Sequence, residues 1–176
     1  MAFTNTAWGG RRTAWHDAIN DKDLKKLEWL IKKWPDDMEI AGGQHGESPL
    51  MWACYKPPPT GFPEGVRLLL ESNAEVNSQW ETMKSPLMFA AQFNHGDIAD
   101  TLLEHGADPT LINPITGKDA AGWAAGAGYK ELALELQTKT EVYRVKVLGQ
   151  SSGQQQKALR GPENGNEFKP DHVFKH

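Results

Sequence analysis

SPLMFAAQFNHGDIADTLLEHGADP, residues 85–109, is the stretch on which the fold turns. It holds two short apolar segments separated by a tight break. The first carries Pro86, Leu87, Met88, Phe89, Ala90 and Ala91, and the second Ile98, Ala99, Leu102 and Leu103. Between them Asn94-His95-Gly96-Asp97 is turn chemistry, since Asn and Gly tolerate left-handed backbone and Asp97 can cap the next helix. Gly106 stops the second segment and Pro109 prevents its continuation. Neither segment is long enough to be a stable helix alone in water. The pair therefore needs copies of itself to stack on.

The copies are present. Ser85-Pro86-Leu87 is echoed by Ser48-Pro49-Leu50, and more weakly by Thr13-Ala14-Trp15 and Asp119-Ala120-Ala121, at intervals of 35, 37 and 34 residues. Each echo is followed by small residues and then by an apolar helical pattern. These run Ala18 then Leu27, Leu30 and Ile31; Ala53-Cys54 then Val66, Leu68, Leu69 and Leu70; Ala124-Ala125 then Leu132, Ala133 and Leu136. A period in the thirties with this motif resembles the ankyrin repeat, a turn plus two helices marked by T-P-L-H-x-A. His16 stands at the family's motif His, and His95 and Tyr129 at the His of its Gly-His turn. The resemblance covers residues 8–140 and is degenerate in the first and last repeats, as capping units are. It implies an all-α solenoid of about four repeats near 13–40, 46–77, 83–110 and 117–138, with hairpin fingers between them and a lead-in at 1–12.

Composition fits a soluble globular chain: 176 residues, 39% of them hydrophobic. No apolar run reaches the roughly 18 residues that span a bilayer. The opening MAFTNTAWGGRRTAW lacks a signal-peptide core, so a cytoplasmic location is expected, with a cytoskeletal or organellar assembly as the alternative. The single cysteine, Cys54, replaces a packed Ala of the repeat and reads as a buried, inert thiol. Charge is uneven. Residues 1–41 are balanced, 42–141 carry six basic and thirteen acidic side chains, and 142–176 carry six basic and three acidic. An acidic repeat body argues against nucleic acid and fits a partner with a basic surface, or the basic tail of the chain itself. The lysines of LKKLEWLIKKW (24–34) read as the wet face of an outer helix, with a nucleic-acid patch as the competing reading.

Departures from the repeat mark the remaining features. Lys56-Pro57-Pro58-Pro59-Thr60-Gly61-Phe62-Pro63 replaces a short turn, and Phe62 must either tuck onto the helices or stand out for a partner. In the finger at 78–84, Trp80 and Met83 depart from the family's pattern. Residues 141–148 contain VYRVKVL, which alternates and is β-branched, so a C-terminal strand is expected there. Residues 149–176 read as a linker and extended tail anchored by Phe168 and Phe174.

No catalytic constellation emerges. There is no phosphate loop and no His-Glu-x-x-His, and the His172/His176 pair has no partner cysteine. No enzyme, cofactor or metal is expected. The resemblance instead implies protein–protein binding, as a scaffold or adaptor, through a concave groove lined by fingers and first helices. Groove and fingertip positions then fall on His45, Tyr55, Lys56, Trp80, Glu81, Lys84, Gln92 and Phe93, with Phe62, Phe168 and Phe174 as outlying contacts. Tyr55, Trp80 and Phe93 are aromatic where structure does not require it, and aromatics dominate interface energies. A second line, Trp52, Phe89 and Trp123, reads as core or as the groove floor. The alternative function is a structural subunit of a large assembly, held by its tail.

Overall fold

The fold was obtained as a computed structural model that describes residues 6–39, 47–55, 61–79 and 83–159. The described helices are α1 (Thr6–Asn20), α2 (Leu24–Lys33), α3 (Pro49–Tyr55), α4 (Pro63–Glu71), α5 (Pro86–Gln92), α6 (Gly96–Glu104), α7 (Ala120–Gly126) and α8 (Lys130–Leu159). A 3-10 turn, Pro35–Glu39, follows α2. The repeated Ser-Pro-Leu has a direct physical meaning. Ser85 caps α5, its hydroxyl accepting from the Met88 amide, and Pro86 opens the first turn, where its missing N–H is no loss. Ser48 accepts from the Met51 amide in the same way, and Asp119 takes over the capping role before α7, accepting from Gly122 at 2.7 Å. The reversal from first to second helix needs a left-handed residue, and Lys22, Asn94 and Gly128 fill that position in repeats one, three and four. Asp97 falls in the first turn of α6, where its carboxylate accepts from Ile98 at 2.9 Å.

The helices stack in two layers. The first helices pack in chain order, α1 on α3, α3 on α5 and α5 on α7; the second helices do the same, α2 on α4 and α4 on α6. The core lies between the layers. Leu27, Leu30, Leu50, Met51, Leu69, Leu87, Met88, Ile98, Leu102 and Leu136 are all buried, and the small Ala18, Ala53, Cys54, Ala90, Ala91 and Ala124 let the helices approach closely. Neighbouring repeats are also stitched by side chains. Asn77 donates to the Gly106 carbonyl (3.3 Å) and accepts from the Asp108 amide (2.8 Å). Asn113 donates to the Met83 carbonyl at 3.1 Å and accepts from the amides of Ile115 and Thr116 at 3.0 Å each.

Two sequence expectations are corrected here. The first helix starts at Thr6, inside the stretch read as a lead-in. The C-terminal strand does not form: residues 141–148 lie in the middle of α8, which also runs through the expected linker to Leu159. Among the described residues there is no strand for an isolated one to pair with, and an unpaired strand leaves its backbone bonds unmade. A helix already nucleated by buried Leu132, Ala133 and Leu136 gains one bond per added residue, against a β-branched penalty of at most about 0.7 kcal/mol each. Thr140, bonded to the Leu136 carbonyl at 2.7 Å, and Lys139, tied to Asp100 of α6 and to Glu135, fix the part of α8 before Val142. Burial works to lower the Lys139 pKa, but the bonds to the two carboxylates outweigh it and hold the pKa above its ordinary value. Residues from Val142 onward form a separate unit, with Val142, Val145 and Val147 exposed on the helix. No described helix is long and apolar enough to cross a membrane.

Candidate functional site

The first-helix layer carries an unbroken run of ring contacts. His16 of α1 stacks on Trp52 of α3 with centroids 4.5 Å apart, and the Trp52 indole donates to the Asn20 side-chain carbonyl at 3.1 Å. Trp52 meets Tyr55 edge-on at 5.1 Å. Tyr55 in turn touches two rings of α5, Phe93 at 5.2 Å and Phe89 at 5.8 Å. Helical geometry explains the order. Trp52 and Tyr55 are three residues apart on α3, Phe89 and Phe93 four apart on α5, so each pair shares one face of its helix. Phe89 is buried, whereas His16, Trp52, Tyr55 and Phe93 are each partly open to solvent.

The run ends on a cationic cluster. The Lys84 ammonium lies 5.2 Å from the Phe89 ring centre and 3.9 Å from that of Trp123 on α7, and donates to Gln92 at 2.8 Å. Lys118 approaches the same Trp123 ring at 5.4 Å. Partial burial lowers the Lys84 pKa, and the Glu47 carboxylate pulls it back up. Cation–ring contacts of this kind are worth roughly 0.5–2 kcal/mol, more as water is excluded. The chemistry on offer is therefore that of a binding surface, with flat rings, edge donors and two ammonium groups. Among the described residues no group of three or more metal-ligating side chains converges. Cys54 is fully buried and burial pushes its thiol pKa far up, which leaves it a packing residue.

Residues 45–80 and 84–114 match the ankyrin repeat family model. These two stretches are ankyrin repeats by that match. Ankyrin repeat domain-containing protein 63 of Mus musculus is 34% identical over 86 residues, which is 49% of this chain and 22% of that protein. E3 ubiquitin-protein ligase XBAT33 of Arabidopsis thaliana is 30% identical over 112 residues, 64% of this chain and 21% of that protein. Palmitoyltransferase AKR1 of Lachancea kluyveri is 31% identical over 107 residues, 56% of this chain and 13% of that protein. The matched region thus spans about a fifth or less of these relatives. Ankyrin repeats are in general non-catalytic protein–protein interaction modules.

Of the positions expected to meet a partner, the ankyrin layer brings together Tyr55, Lys84, Gln92 and Phe93. Phe62 must be corrected: it is buried, with its ring over Gly65, where an added Cβ would come within 2.2 Å of it. Its amide donates to the Ala53 carbonyl at 3.2 Å, and Pro63 directly after it opens α4, so the chain leading out of the Pro-rich segment is drawn inward. His45, Lys56, Trp80, Glu81, Phe168 and Phe174 lie outside the described residues. Sequence reasoning gave His16 only a fold role and left Trp123 as core or floor. Their signal was the recurrence of a ring at Trp52, Phe89 and Trp123, one residue before the small pair. The reach of Lys118 to Trp123 depends on three-dimensional proximity that spacing does not encode.

Proposed function

We propose that this chain is a non-catalytic protein-binding module that engages its partner across the ring-lined face of the first-helix layer, centred on Tyr55 and Phe93. The continuous, partly open row from His16 to Trp123 carries the reading. Trp52, Tyr55, Phe93 and Trp123 pack against the core on one side and stay partly open on the other, and wide, half-open rings of this kind suit an interface. The acidic balance of residues 42–141 supports a partner with basic flanks, since the long-range field draws positive surfaces in. A cytoplasmic setting belongs to the same reading, supported by the composition and the single buried thiol. The words ligase and transferase in the relatives' names describe those longer proteins and enter no part of this reading. Tyr55→Ala with Phe93→Ala tests it. Partner affinity should fall at least about tenfold while the thermal melt stays cooperative. Undiminished binding by a folded double variant would remove the face from the account.

A further inference from the structure

At the α7 end of the ring row two ammonium groups converge on the Trp123 ring. Lys118 reaches that ring along a cleared path. At Gly122 an added Cβ would lie 3.3 Å from the Lys118 Cβ, and at Gly126 it would lie 2.9 Å from the Lys118 ammonium and meet no other described side chain. Two glycines one turn apart weaken a seven-residue helix, and core packing does not require the one at Gly126. Among the described residues no carboxylate is paired with the Lys118 ammonium; Lys84 is bonded to the neutral Gln92 and also feels the Glu47 carboxylate, which leaves Lys118 the less compensated of the two. Positive charge is thus concentrated on a ring at the edge of the open row.

We infer that the α7 end of the face receives a carboxylate from the bound segment, seated between the Lys84 and Lys118 ammonium groups. The inference rests on the proposed reading of the face and gives it a polarity. The repeat body is net acidic over residues 42–141, so a uniformly acidic partner is repelled. The occupant is accordingly a peptide segment with one Asp or Glu beside an aromatic or aliphatic anchor, and neutral or basic flanks. The anchor lies on Tyr55 and Phe93, and the carboxylate takes charge-assisted bonds from the two lysines at a ring edge that partly excludes water.

The test uses the full chain, immobilised, against a random-peptide phage library. The enriched peptides should share an acidic position at a fixed offset from an apolar one. A synthetic consensus peptide should lose about tenfold in affinity for Lys118→Ala. Replacing its Asp or Glu by the amide should cost at least as much with the wild-type chain, and clearly less with Lys118→Ala, where Lys84 alone remains to hold the charge. Gly126→Ala keeps the charge but moves the ammonium, so it should weaken the peptide while the melting temperature stays level or rises. A consensus without an acidic position, or additive losses in the cycle, overturns the carboxylate seat and leaves the face standing. Failure of the wild-type chain to enrich any peptide overturns the reading of the face itself.

Discussion

Glu39 shows how single side chains tie repeats together at a cost. Its carboxylate accepts from the Glu75 amide at 2.7 Å, joining the end of repeat one to the end of repeat two. Burial raises its pKa, the amide bond lowers it, and the nearby Glu75 carboxylate raises it again, for a net shift upward. A carboxyl with a raised folded-state pKa adds stability while it is protonated, and that contribution is lost as pH rises through the raised value. At neutral pH the group is therefore charged where charge is disfavoured. Glu39→Gln keeps an acceptor for the amide and removes the repulsion. Its melting temperature should exceed that of the wild type at pH 7 by a margin worth under about 1 kcal/mol after solvent screening. The margin should close as pH falls and the wild-type carboxyl takes up its proton; a gap constant with pH would contradict the assignment. At this scale the sequence was legible where the repeat assigns each position a direction. Tyr55 and Phe93, just past the small pair, lie beside one another and stay partly open to solvent. Phe62 was not legible, because nothing in a Pro-rich insertion says which way its last ring turns. The capping was read at the wrong place: Asp97, expected to cap α6, falls inside its first turn with His95 at the N-cap position, whereas the side-chain cap that forms is Ser85 before Pro86.

Among the elements, short first helices and slightly longer second helices follow from caps and left-handed turn residues visible in the chain. α8 does not. VYRVKVL alternates as a strand would, yet local pattern loses to context. Buried Leu132 and Leu136 anchor the helix before Val142, and each further residue extends a hydrogen-bond ladder that a lone strand lacks. Val145→Pro should remove the amide bond and clash with the carbonyl of Glu141, so helical far-UV ellipticity should drop visibly. An unchanged helical signal would restore the strand reading for this segment.

For the molecule as a whole, the stack of repeats was readable from period and motif, since no single helix pair can bury its apolar face alone. The binding face was half readable. Its rings recur in register, but the convergence of Lys84 and Lys118 on Trp123 joins two repeats and appears only once they are folded together. The two layers offer alternative surfaces. The second-helix side has its own shallow groove of about 600 Å³, lined by Leu24, Lys25, Glu28, Pro63, Glu64, Arg67, Leu68 and Glu71, which mixes aliphatic and charged side chains where the first-helix side is ringed. Amide hydrogen exchange of the full chain, with and without a bound peptide, distinguishes them directly. The account predicts slowed exchange within 50–55, 86–93 and 120–126, with 24–33 and 63–71 unchanged. Protection confined to α2 and α4 would contradict it.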